Sequence, residues 1–224
     1  VKQILKNPKL LKPGAEKQEV TILFSDIANF TSMSEGMDSD QLAHLMNNYF
    51  ETTVGHCIHP AQGTVVKFIG DAIFAIWNAP EFQPNHKELA CQGALLLRDS
   101  TGEFKFDKPG LEVRTRIGLH SGPANVGNFG SSTRIDYTAL GENINLASRM
   151  EGLNKYLGTD VLITDEVYSD VKDKFVTRYA GRFQLKGFEK EVGVHELLGP
   201  RDQAEATRPW REAYAEALKN FEKH

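Results

Sequence analysis

Two aspartates, an Asn–Arg pair, and an arginine and a lysine inside strand-like runs are the residues of this chain whose types and spacing can do chemistry. Asp26 closes an alternating apolar run, and Asp71 sits in a Gly-Asp pair between two further apolar runs. A carboxylate at a turn ordinarily caps or solvates backbone, so neither aspartate alone marks a site. Together they do: if the hairpin around Asp71 lies beside the strand ending at Asp26, both carboxylates reach one sheet edge. Hard oxygen ligands there, without neighbouring His or Cys, suit Mg²⁺ or Mn²⁺ held with substrate phosphates. Asn145 and Arg149 stand at i and i+4, hence on one helix face. Beside a phosphate, that pair supplies an orienting amide and a fixed cationic fork. Arg116 lies within a strand-like alternation, and Lys67 within Val65-Val66-Lys67-Phe68-Ile69. Each fits either a solvated sheet face or a pocket.

Elements must bring these residues together. Residues 19–26 alternate, with Val20, Ile22 and Phe24 on one face and Thr21, Leu23 and Ser25 on the other, the period of a strand. Asp38-Ser39-Asp40 offers N-cap chemistry for a helix with apolar residues from Leu42 to Ile58, ended by Pro60 and Gly63. Residues 64–69 and 72–77 predict a hairpin about Gly70-Asp71. A second amphipathic helix follows over 87–98. Residues 111–119 read as a strand, His120-Ser121-Gly122-Pro123 as a turn and 124–128 as another strand. A helix over 141–157, a strand over 158–163, a short helix over 165–174 and strands over 176–186 and 192–198 complete the series. The order β-α-β-β-α-β with additions predicts an α+β fold with a ferredoxin-like core.

Residues 1–18 read as a short helix and linker, 19–199 as the domain, and 200–224 as a helical tail. In that tail Trp210, Tyr214, Ala217, Leu218 and Phe221 recur at helical spacing. The spacing fits a terminal or docking helix, or the first helix of a repeat domain. The chain has 224 residues, 40% hydrophobic and 25% charged, enough to bury a core without staples. A net charge of −4 argues against a nucleic-acid polymer as partner. Two cysteines, Cys57 and Cys91, make no disulfide framework and fit a reducing compartment. No stretch approaches the roughly 20 apolar residues of a membrane span. The first residue is Val1, so the expectation is a cytoplasmic catalytic piece of a longer protein, with an upstream regulatory domain and any membrane anchor outside this stretch. His56, Cys57 and His59 lack a second ligand pair for a zinc site, and His120 reads as a local hydrogen-bonding residue.

Four stretches closely resemble the motifs of class III nucleotidyl cyclase catalytic domains, and in that family's order. They are Phe24-Ser25-Asp26-Ile27-Ala28-Asn29-Phe30-Thr31, Lys67-Phe68-Ile69-Gly70-Asp71, Arg116-Ile117-Gly118-Leu119-His120-Ser121-Gly122 and Asn145-Leu146-Ala147-Ser148-Arg149-Met150-Glu151. The resemblance spans residues 19–198. It implies two Mg²⁺ or Mn²⁺ ions per active site, bound by Asp26, Asp71 and the Ile27 carbonyl. It implies phosphate contacts from Arg116 and Lys186, ribose orientation by Asn145, and transition-state stabilisation by Arg149. Lys67 and Thr138 match the positions that read the purine. Guanylyl cyclases typically have Glu where Lys67 stands, so the chain resembles an adenylyl cyclase. Thr138 departs from the commoner Asp and resembles the subgroup of soluble bicarbonate-responsive and cyanobacterial cyclases; a hydroxyl both accepts and donates.

The expected activity is conversion of ATP to 3′,5′-cyclic AMP and pyrophosphate, by attack of the ribose 3′ hydroxyl on the α-phosphorus. In the resembling family the metal set and the base-reading set come from opposite protomers, which implies a homodimer with two equivalent sites. Three alternatives stay open. A guanylyl cyclase is opposed by Lys67, an inactive nucleotide-binding regulatory domain by the complete set of charged positions, and a structural dimerisation module by metal and phosphate ligands it would not require.

Overall fold

The computed structural model describes residues 14–102, 113–131 and 133–221. Its framework is one eight-stranded sheet in the order β2-β3-β1-β4-β6-β8-β7, with β5 paired to the second half of β4. The strands are β1 (Gly14–Ile27), β2 (Thr64–Ile69), β3 (Ala72–Trp77), β4 (Thr115–Gly130), β5 (Ile135–Leu140), β6 (Val161–Thr164), β7 (Phe175–Gln184) and β8 (Glu191–Pro200). The helices are α1 (Phe30–Ser34), α2 (Ser39–Phe50), α3 (His86–Gly102), α4 (Glu142–Leu157), α5 (Asp165–Val171) and α6 (Ala204–Phe221). The first four strands and the helices between them make the ferredoxin-like core, and β1 runs antiparallel to both β3 and β4. The α+β class expected from the element order is the class observed.

Both faces of β1 are covered. Leu23 and Ile27 belong to a core with Tyr49 of α2, Leu89, Ala94 and Leu97 of α3, and Val167 of α5. Val20 and Ile22 face the other way, into a cluster with Ile144 and Ala147 of α4. Asp38 caps α2 by accepting from the Gln41 amide at 2.8 Å, as its position predicts. The helix then widens into a π-helical segment, Glu51–Ile58, where the Thr53 hydroxyl bonds back to the Tyr49 carbonyl at 2.7 Å. That segment turns Cys57 into the core while His56 and His59 stay exposed, so the three cannot converge on one ion.

Three expectations need correction. The first strand begins at Gly14, so residues 14–18 are strand and not linker; the helix expected before them lies outside the described residues. The reason is the partner: β4 is long enough to pair Gly14 with Asn128. The expected turn at residues 120–123 does not exist, because those residues pair with residues 19–22 of β1. Pro123 is tolerated there because it falls in a gap on the far edge of β4, after the β6 pairing ends at Leu119 and before the β5 pairing begins at Asn125. Strand β7 stops at Gln184, which leaves Lys186 in the turn before β8. The sequence reading also missed β5 altogether.

The tail forms α6 and lies against β7. There the Arg178 guanidinium, paired with Glu196, stacks 3.9 Å over the Tyr214 ring and 5.7 Å from that of Trp210. No helix among the described residues is long and apolar enough to cross a membrane.

Candidate active site

The site begins with two strand ends. Gly70 has φ +65°, a conformation that costs glycine little, and it closes the tight β2–β3 turn that carries Asp71. Because β3 pairs with β1 through Ser25 and Ile73, the turn arrives beside the end of β1. Asp71 Oδ2 accepts from the Ile27 amide at 3.0 Å. The two aspartates therefore share one end of the sheet, as their spacing predicts.

Arg116 stands opposite Asp26 in the β1–β4 register, on the same face of the sheet. Its Nη2 donates to Asp26 Oδ2 at 2.9 Å. The fourth member is Glu151, whose Oε1 lies 3.5 Å from Arg116 Nε. Gly118 makes that approach possible. A Cβ on Gly118 would lie 2.2 Å from the Glu151 nitrogen and 2.7 Å from the Ala147 carbonyl oxygen, so the α4 backbone rests directly on β4. Asn154, one turn further along, is 1% exposed and donates to the Ile117 carbonyl at 3.0 Å. It fastens the end of the helix to the same strand.

Three carboxylates around one guanidinium leave an excess of negative charge in a partly buried place. Burial, then the neighbouring Asp71, then Glu151, push the Asp26 carboxyl up to about 7 against the pull of Arg116. Burial raises Glu151 to about 7 as well, again opposed by Arg116. An ordinary surface aspartate would be ionised at much lower pH. Such a pair holds protons unless a cation replaces them. Two hard carboxylates with this surplus charge fit a divalent ion that takes its remaining oxygens from backbone, water and phosphate. Among the described residues no group of three or more His, Cys, Asp or Glu is placed to hold a metal ion by itself.

The other expected residues lie elsewhere, all but Thr138 on the surface. Asn145 and Arg149 are exposed on α4, and Lys67 is exposed on β2. Lys186 is exposed in a turn held by Leu185, which packs with Leu146 and Met150 of α4. Thr138 on β5 is 4% exposed, and its hydroxyl has no hydrogen-bond partner. Strands β2 and β5, which carry Lys67 and Thr138, approach each other. Among the described residues, no hydrogen bond or ion pair joins Lys67, Thr138, Asn145, Arg149 or Lys186 to the Asp26–Asp71–Arg116 cluster. His120 is buried in mid-strand and bonded to Thr164 and Asn143, each at 2.9 Å, the local role expected of it.

Sequence reasoning gave Glu151 no role. A signal was present: α4 buries Ile144, Ala147 and Met150, and Glu151 is a carboxylate at the margin of that apolar stripe.

Residues 13–199 match the family model for the adenylate and guanylate cyclase catalytic domain. Adenylate cyclase 1 of Rhizobium meliloti is 38% identical over 189 residues, covering 83% of this chain and 28% of its own length. This chain thus spans little more than a quarter of that relative. Among solved structures, the adenylyl cyclase CyaB from P. aeruginosa superposes with a TM-score of 0.73 at 30% identity, over 84% of this chain and 98% of its own. The guanylate cyclase domain of RhGC from Catenaria anguillulae, solved with GTP, gives 0.75 at 29%, over 84% and 100%. Adenylyl and guanylyl relatives share this fold equally well, and cyclase domains of this class use divalent metals. The motifs, the paired aspartates on adjoining strands and the family match over residues 13–199 make this chain a member of the adenylate and guanylate cyclase catalytic domain family.

Proposed function

We propose that the chain is the catalytic domain of an adenylyl cyclase that works as a homodimer, each site built from two copies. The observation that carries the composite site is the orientation of α4. Glu151 faces Arg116 and the metal carboxylates, and Arg149 lies two residues away, hence about 200° around the helix at 100° per residue. Arg149 and Asn145 therefore point away from Asp26 and Asp71 of their own chain. A second copy brings its own Asn145 and Arg149 to the carboxylates of the first. C2 symmetry then provides the reciprocal site.

In this reading Asp26, Asp71 and the Ile27 carbonyl hold two Mg²⁺ or Mn²⁺ ions. When bound, these supply Lewis-acid polarisation of the ribose oxygen and charge compensation for the triphosphate. Arg116 and Lys186 grip the phosphates that leave, with Arg116 using the N–H groups not committed to carboxylates. The partner copy's helix contributes an amide that orients the ribose and a guanidinium that meets charge growing on the α-phosphoryl oxygens. The ribose 3′ hydroxyl passes its proton to Asp26 or water, its oxygen attacks the α-phosphorus, the bond to pyrophosphate breaks in line, and the ring of cyclic AMP closes.

Lys67 supports adenine as the base. An ammonium donates only, which suits the N1 acceptor of adenine and not the N1–H of guanine. The orphaned Thr138 hydroxyl is available to the exocyclic amine beside it. Product analysis with ATP and GTP side by side tests this half of the proposal, and cyclic GMP as the main product would overturn it.

Subunit mixing tests the composite site. Asp71→Ala and Arg149→Ala should each be nearly inactive as homodimers. In a mixed dimer one site carries both lesions and the other carries neither. With random exchange about half the dimers are mixed, so activity should return to about a quarter of the parent's per total protein. No recovery after demonstrated exchange would refute the shared site.

A further inference from the structure

We propose that Glu151 is a positioning residue for nucleotide binding, acting through Arg116; the inference rests on the phosphate-binding role of Arg116 proposed above. Neither Arg116 Nε nor Glu151 Oε1 has a hydrogen-bond partner, both atoms are buried, and they face each other at 3.5 Å. Among the described residues, each is therefore the other's only ionic neighbour at that edge. The two side chains are 15% and 16% exposed, far less than an ordinary surface pair, so solvent screens their attraction weakly.

The geometry divides the guanidinium between three tasks. Its Nε edge faces Glu151, one N–H of Nη2 goes to Asp26, and Nη1 with the second Nη2 proton remains for an anion. An arginine side chain otherwise loses rotamer entropy when a ligand fixes it. A carboxylate anchored on a helix that lies against β4 at Gly118 fixes it beforehand. Glu151 also offsets the cost of keeping Arg116 charged in a half-buried place. Without it, Asp26 is the guanidinium's remaining carboxylate partner and draws it towards the metal ligands and away from the triphosphate.

The test is a double-mutant cycle at pH 8, read by calorimetric binding of 3′-deoxy-ATP with Mg²⁺, a nucleotide that cannot cyclise, and by steady-state kinetics. Glu151→Met keeps the side chain's bulk and removes the carboxylate; Glu151→Gln keeps its shape and polarity and removes only the charge. Arg116→Ala should weaken binding by about tenfold or more, the loss of a charged hydrogen bond. Glu151→Met should weaken it by about fivefold to tenfold, part of the Arg116 contribution, raising KM with little change in kcat. Glu151→Gln should show most of the same loss, because the attraction at that edge is ionic. In the Arg116→Ala background, Glu151→Met should have no further effect.

A purely structural tie between α4 and β4 would instead lower the melting temperature in step with activity and weaken binding equally in both backgrounds. That result overturns the proposal, as does unchanged binding in Glu151→Met when Arg116→Ala is impaired. Normal binding by Arg116→Ala would overturn the phosphate role of Arg116 itself, a separate failure.

Discussion

Adding one methyl group at Gly118 tests whether α4 truly rests on β4. The new carbon would lie 2.2 Å from the Glu151 nitrogen and 2.7 Å from the Ala147 oxygen, where about 3.5 Å is ordinary contact. Both obstacles are backbone, so no side chain can swing aside and the helix must lift by about 1 Å. Over-packing of this kind costs about 3 kcal/mol. For a domain of this size that corresponds to a fall of about 6–12 °C in Tm. The same displacement carries Asn145 and Arg149 with it, and a misplacement of about 1 Å can cost about 100-fold in turnover. Gly152→Ala on the same helix is the control. A Cβ there meets nothing within 4 Å, and alanine is favoured over glycine in a helix by about 0.8–1 kcal/mol. Thermal denaturation and cyclic nucleotide production on both variants decide the matter: Gly118→Ala should lose stability and activity, and Gly152→Ala should gain a few degrees. A Gly118→Ala protein that melts within about 2 °C of its parent and keeps its turnover would refute the packing argument.

Three further outcomes are expected. Asp71→Asn should fold, since its amide oxygen can still accept from the Ile27 amide, yet lose nearly all turnover with the anionic charge a divalent cation needs; parental turnover would remove Asp71 from the chemistry. Asp26 and Glu151, both raised to about 7, hold protons in the folded metal-free protein that the unfolded chain releases near pH 4. Their contribution to stability therefore declines as pH rises from about 4 through about 7. Mg²⁺ should accordingly raise the melting temperature more at pH 8 than at pH 6, with Asp26→Asn abolishing most of that difference in a thermal shift assay. Lys67→Glu should cost ATP turnover about 1.5–3 kcal/mol in the barrier, the worth of a buried hydrogen bond to a charged group, and raise relative use of GTP. Competition between the two nucleotides measures this, and an unchanged ratio would free Lys67 from base reading.

Much of the site's placement was readable before the structure. The hairpin around Gly70-Asp71 falls over the expected residues, because a short turn between two β-rich runs is specified locally. The convergence of Asp26 and Asp71 needed only the further condition that β3 pair beside β1. What the sequence concealed depends on partners far along the chain. Residues 120–123 carry turn chemistry, and only a fourteen-residue pairing with β1 overrides it. Strand β5 buries neighbouring Thr138 and Ala139 but exposes Ile135 and Leu140, so no period of two announces it. Glu151 meets its cation across 35 positions, and the glycine that permits the meeting has no side chain to advertise it.

The order of strands leaves β2 at one end of the sheet and β7 at the other, and each end strand is a template on which another chain's backbone can polymerise. The two ends are guarded differently. Along β7 lies a helix held by the Arg178 stack on Tyr214. At β2 the pairing register slips between Val65 and Lys67, and the lysine adds charge just before the exposed Phe68 and Ile69. An irregular, charged rim next to apolar residues is what keeps such an edge soluble. Under the proposed base-reading role, Lys67 therefore answers to two demands at once, base recognition and resistance to aggregation. A neutral replacement there would confuse lost catalysis with lost solubility, whereas glutamate preserves a charged rim and isolates the base-reading step.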